Sequence, residues 1–79
     1  MPRYYFDIRD GDDVAIDEEG LDLPAIEAAE TEAARSLADI AAELRRQKAE
    51  CQRLTIEVRA GDAPLFKATL AFEAARTLH

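Results

Sequence analysis

Residues 54–72 read LTIEVRAGDAPLFKATLAF, and their periodicity decides the fold. Leu54, Ile56 and Val58 alternate with Thr55, Glu57 and Arg59, the two-residue period of a strand with one buried face. Gly61-Asp62-Ala63-Pro64 is a turn signal. Beyond it Phe66, Ala68, Leu70 and Phe72 resume the alternation, with Leu65, Lys67, Thr69 and Ala71 on the other face. The stretch is an antiparallel hairpin. Directly opposed residues share a face, and a slip of one residue turns a strand over. Opposing Val58 with Phe66, Ile56 with Ala68 and Leu54 with Leu70 centres an odd-length loop on Asp62. The same register sets Glu57 across from Lys67 and Thr55 across from Thr69, both favourable pairs.

Upstream of the hairpin the period becomes helical. Ile26, Ala29, Ala33, Leu37, Ile40, Ala41 and Leu44 recur at spacings of three and four, one apolar stripe between Pro24 and about Lys48. Pro24 suits a first helical turn, where a missing N–H costs nothing. Glu27, Glu30 and Glu32 come early and Arg45, Arg46 and Lys48 late, an order that complements the helix dipole.

At the start of the chain, Tyr4, Phe6 and Ile8 alternate with Tyr5 and Asp7. Val14 and Ile16 continue after the turn signal Asp10-Gly11-Asp12, and Asp17 to Gly20 ends the pattern. The face argument opposes Ile8 with Val14 and Phe6 with Ile16 across an odd loop centred on Gly11, with Arg9 opposite Asp13. A two-residue Asp10-Gly11 turn would set Ile8 against Asp13 and is rejected. At an offset of 50, FDIRDGD (6–12) lies over IEVRAGD (56–62) with three identities. Two hairpins sharing turn chemistry explain this echo, and so does a pseudo-symmetric pair of hairpins joined by one helix.

The expected architecture is one α+β domain over residues 1–79, β-β-α-β-β. Its strands span about 3–9, 13–17, 53–60 and 64–73, and its helix about 24–48. Placing the first strand between the second and third makes every neighbouring pair antiparallel, a four-stranded sheet in the order 2-1-3-4, and a right-handed crossover lays the helix on one face. The helix should bury Ile26, Ala33, Leu37, Ile40 and Leu44 against Phe6, Ile56 and Leu70. The opposite face carries Tyr5, Asp7, Thr55, Glu57, Arg59, Lys67 and Thr69.

Composition bounds the function. Seventy-nine residues with 18 Ile, Leu, Val and Phe but 16 Ala make a thin core. Such a core is one that a partner readily completes, and self-association as a homodimer is expected. Residues 1–30 hold ten acids and two bases, a net of −8; residues 31–79 hold seven acids and eight bases, a net of +1. An acidic chain repels phosphate backbones, which argues against direct nucleic-acid binding. Asp10, Asp12, Asp13, Asp17, Glu18 and Glu19 form a candidate acidic docking face for a basic protein partner. Cys51 has no second cysteine to pair with, which fits a reducing compartment. No apolar run reaches about 18 residues and no leader opens the chain, so no membrane association and cytoplasmic residence are expected.

No catalytic constellation stands out. His79 is terminal, Ser36 lies in the helix with no histidine near it in sequence, and Cys51 lacks a local base. The acidic cluster does not follow the calcium-loop spacing, since Val14 falls where a ligand is needed. Tyr4, Tyr5 and Phe6 lack the flanking basic residues of a base-stacking surface and read as packing. Neither enzyme chemistry, cofactor nor metal is expected. The mixed outer face, with Tyr5, Leu65, Lys67, Thr69 and Ala71, is the candidate partner surface.

Pro2-Arg3-Tyr4-Tyr5-Phe6-Asp7-Ile8, Asp10-Gly11, Asp17-Glu18-Glu19-Gly20, Leu23-Pro24 and Glu32-Ala33-Ala34 together resemble a family of short bacterial proteins known as a domain of unknown function. The resemblance spans nearly the whole chain and brings no activity or functional residue with it. A weaker similarity is to HicB-type antitoxins, which share the acidic-Gly segment, the Leu-Pro and the alanine-rich helix. Those usually place three strands before the helix and one after, and often append a DNA-binding segment, whereas two and two are expected here without one. The function expected is a small, non-enzymatic, self-associating interaction protein, with a HicB-like inhibitor of a basic partner as the alternative.

Overall fold

The alternating stretches become strands in a computed structural model of the chain, which describes residues 1–47 and 53–71. In order, the elements are β1 (Arg3–Asp10), β2 (Asp13–Ala15), β3 (Leu21–Asp22), α1 (Ile26–Arg46), β4 (Arg53–Ala60) and β5 (Ala63–Ala71). The fold is α+β. Its antiparallel sheet runs β2-β1-β4-β5, the expected order, and β3 adds a fifth strand against β1. β3 is two residues long, too short to leave a period in the sequence. Leu23 N–H donates to the Pro2 carbonyl at 3.0 Å and carries that pairing one step further.

α1 lies over β4 and β5. Ala29, Ala33 and Leu37 are its buried residues, meeting Tyr4, Leu54, Ile56 and Val58, with Phe6, Ile8, Ile40, Phe66 and Ala68 partly buried around them. Two small alanines where the helix meets the sheet permit a close approach but bury little area, so the core is thin. Leu44, also expected inside, is only half-buried and stands outside the core cluster, and two further residues expected inside are exposed. Ile26 is 40% exposed because it is the first helical residue and its side chain leans back past the packed turn. Leu70 is 39% exposed: it shares the inner face with Phe66 and Ala68, but β5 has no strand beyond it among the described residues. Pro24 precedes the helix, and Ala25 caps it without a side-chain hydrogen bond. Glu27 in the first turn and Arg45 and Arg46 in the last complement the dipole. Lys48 and Phe72 lie outside the described residues.

Both hairpins turn through two residues, Gly11-Asp12 and Gly61-Asp62, each opening with a left-handed glycine (φ 61° and 59°). The odd loops expected at both places are therefore corrected. In the second hairpin the expected pairs still form: Val58 faces Phe66, Ile56 Ala68, Leu54 Leu70, Glu57 Lys67 and Thr55 Thr69. A bulge at Leu65 absorbs the difference, and beyond it Arg59 faces Pro64. The first hairpin has no such correction. Ile8 faces Ala15, Arg9 faces Val14 and Asp10 faces Asp13, one residue away from the expected register. The cause is length. Eight residues of β4 against nine of β5 hold their apolar phase firmly enough to force a bulge, whereas β2 has three residues and yields to the turn. Val14 and Ile16 consequently stand 43% and 59% exposed.

The offset-50 echo is a pseudo-two-fold. β1 and β4 are central neighbours, and Asp7 and Glu57, fifty residues apart, lie directly opposite each other. The hairpins β1-β2 and β4-β5 exchange about that point.

Candidate interaction surface

The sheet face away from α1 divides into a covered half and an open half. At its centre the opposed carboxylates Asp7 and Glu57 would repel. Each is neutralised diagonally by the arginine two residues along the other strand. Arg59 Nε donates to Asp7 Oδ2 at 2.8 Å, and Arg9 Nε to Glu57 Oε1 at 3.1 Å. These ion pairs are equivalents under the pseudo-two-fold, but their settings differ. The Arg9–Glu57 side chains are about half exposed, whereas those of Arg59 and Asp7 retain 24% and 11% of their exposure.

Residues 17–20 make the difference by folding over the Arg59–Asp7 half. β2 reaches β1 at residues 8–10 and β3 reaches it at residues 3–4, leaving Phe6 N–H between the two ladders. Asp17 Oδ2 accepts that N–H at 3.1 Å. Its other oxygen, Oδ1, accepts Glu19 N–H at 3.0 Å and Gly20 N–H at 3.1 Å, closing the loop on itself. Asp17 N–H in turn donates to Asp7 Oδ1 at 2.9 Å, and Arg59 Nη2 donates to the Asp17 carbonyl at 2.9 Å. Arg59 also donates to the Gly61 carbonyl at 2.7 Å and lies 4.6 Å above the Tyr5 ring. Gly20 (φ 72°) must be glycine: a Cβ there would stand 2.9–3.0 Å from Arg3 Cγ, the Tyr4 carbonyl oxygen and Tyr5 Cε2. Arg3 ties the loop from outside, donating to the Glu19 carbonyl and pairing with Asp22 at 3.0 Å.

The network sets its own protonation. Arg59's hydrogen bond holds the Asp7 carboxyl below its ordinary value against the opposing effect of burial. Burial pushes Asp17 up, but the N–H groups of Gly20, Phe6 and Glu19 outweigh it, and the net shift is downward. Asp7 raises Arg59. Both carboxylates are therefore ionised and fully occupied at neutral pH, an arrangement for holding a loop rather than for moving protons.

The candidate partner residues are thus split. Tyr5 is half-buried beneath Arg59 in the covered half. Leu65, Lys67, Thr69 and Ala71 are exposed together on β5, with Leu65 41% accessible beside an open depression shared with Arg59, Pro64 and Lys67. Thr69 Oγ1 bonds Thr55 Oγ1 at 3.0 Å. The candidate acidic face is also divided. Asp12, Asp13, Glu18 and Glu19 are exposed, but the Asp17 carboxylate points into the network. Ser36 is half-buried in α1. Cys51 and His79 lie outside the described residues. Among the described residues no group of three His, Cys, Asp or Glu side chains is placed to hold a metal ion, and no helix is long and apolar enough to cross a membrane.

A family model described as a domain of unknown function, DUF6894, aligns with residues 3–71. No curated protein and no solved structure matches the chain.

Proposed function

We propose that this chain, which belongs to the DUF6894 family of domains of unknown function, is a small non-enzymatic interaction protein that self-associates through the edge of its sheet. One observation carries the reading: β5 is nine residues long, has no further strand beside it among the described residues, and holds Lys67 as its one charged side chain. A long edge defended by a single lysine and by Pro64 near its start is weakly protected against pairing. Leu65 and Leu70 add exposed apolar surface to the same strand. The opposite edge is different, being broken into β2 and β3 and bordered by the acidic loop. Docking of the acidic hairpin on a basic partner, the HicB-like alternative, has less support, because Asp17 is committed inside the fold. The lone Cys51 fits a reducing cytoplasm.

Light scattering at micromolar concentration tests the reading. The expected mass is twice that of the 8.8 kDa chain, falling to the monomer in Leu70→Glu. A stable monomer of the unaltered protein would reject self-association. A dimer that survives Leu70→Glu would move the contact away from β5.

A further inference from the structure

Resting on the proposed self-association through β5, we infer that two copies pair antiparallel about a two-fold axis at Ala68, so that Ala68 faces its own equivalent, Phe66 faces Leu70, and Lys67 faces Thr69. Three constraints lead to this register. The first is symmetry. Two identical antiparallel edge strands can be joined into one sheet only by an axis perpendicular to that sheet, which keeps both helices on the same face. Opposed residues then share a face, so the axis must pass through a residue and not between two.

The second constraint is charge. An axis at Lys67 would set the two Lys67 ammonium groups against each other, a like-charge pair on adjacent strands. Moving the axis by one residue offsets them diagonally and gives each a threonine opposite. β5 also belongs to the near-neutral part of the chain: residues 31–79 carry a net of +1, and residues 1–30 carry −8. Growth of the sheet at β5 keeps β1, β2 and the 17–20 loop of each copy, with their acids, at its far ends.

The third constraint is apolar cover. On the inner face of β5, Phe66 and Ala68 are partly buried while Leu70 is 39% exposed for want of a neighbour. With the axis at Ala68, each Leu70 receives the Phe66 of the second copy, and Ala68 leaves room between them at the centre. An axis at Thr69 would instead give Leu70 only Ala68 and carry Phe66 beyond Ala71, the last described residue of β5. An axis at Phe66 would bring Pro64, which has no N–H to donate, against Ala68. Because α1 lies over β4 and β5, the same axis also sets the two helices side by side above the joined sheet.

Cysteine cross-linking reads the register directly. In a Cys51→Ala background, Ala68→Cys should oxidise to a covalent dimer several-fold more completely than Lys67→Cys or Thr69→Cys alone, since only residue 68 meets itself. An equimolar mixture of Lys67→Cys and Thr69→Cys should give a mixed covalent dimer. These two positions are on the exposed face, so the mixture reports even if Ala68→Cys folds poorly. Self-cross-linking of Lys67→Cys or Thr69→Cys in excess of the mixed product would overturn the Ala68 axis while leaving the edge dimer standing. A background protein that scatters as a monomer would remove both this register and the self-association beneath it.

Discussion

Asp17 accepts three backbone N–H groups, from Phe6, Glu19 and Gly20. Asp17→Ala should cost about 2–3 kcal/mol in denaturant melts, since each half-buried donor left without a partner is expensive. A loss below about 0.5 kcal/mol would mean that water replaces the carboxylate fully. Gly20→Ala should cost about 2–4 kcal/mol from its left-handed backbone and its close contact with the Tyr4 carbonyl. The Asp7 and Asp17 carboxyls have folded pKa values below their ordinary 3.8. In acid the unfolded chain takes up protons first. Their stabilisation is therefore complete above that ordinary value and is lost as pH falls below it toward the folded values. Melting temperature should drop steeply below about pH 4, and Asp7→Asn should make that limb shallower. An unchanged limb in the variant would assign the acid sensitivity to other carboxylates. The role of Asp17 was legible in principle, because an aspartate three residues before a glycine is a type I turn signal, and an aspartate there readily accepts the N–H two residues on. Reading 17–20 only as the end of a strand missed it. Nothing local told that the loop would fold back over Arg59, forty-two residues away.

At the scale of elements, what the sequence showed plainly was whatever long periodicity enforces. The helix stripe and the body of the β4-β5 hairpin rest on runs of eight residues or more, in which one slipped position would expose a whole face, and the strand order follows from making every neighbouring pair antiparallel. The turns were less legible. Both loops are Gly-Asp pairs, and the left-handed glycine that begins each sets the length from within the loop rather than from the flanking apolar phase. That conflict resolves as a bulge where the strands are long and as a shifted register where β2 is short. The pseudo-two-fold was visible as an echo at offset 50, but only the structure places Arg9 and Arg59 diagonally across the opposed carboxylates. α1 gives the element-scale prediction. Leu37 is its one large buried side chain, against two alanines. Leu37→Ala should therefore cost about 2–4 kcal/mol by lost transfer and cavity. A change under about 1 kcal/mol would show that the helix repacks over the gap.

For the whole molecule, the uneven charge makes the site of self-association readable by salt. A chain carrying −7 repels its own copies, and salt should relieve this to an extent that depends on which surfaces meet. The sheet order separates the charges: residues 1–23, which hold β1, β2, the 17–20 loop and β3, carry eight acids against two bases on one side, and β5, with Lys67 as its one charge, closes the other. β1 lies two strands in from β5, about 10 Å at ordinary strand spacing. Two copies joined at β5 therefore keep their β1 strands more than about 20 Å apart, beyond the Debye length of about 8 Å at physiological ionic strength. Raising sodium chloride from about 50 to about 500 mM should then tighten a β5 dimer by less than about threefold in Kd, measured by analytical ultracentrifugation. Copies meeting through the β2 edge or the acidic loop would bring two clusters near −6, from eight acids and two bases over residues 1–23, within contact, and the same change of salt should tighten them by well over tenfold. A steep salt dependence would thus place the interface on the acidic side and sink the β5 edge, even if the mass in solution is that of a dimer.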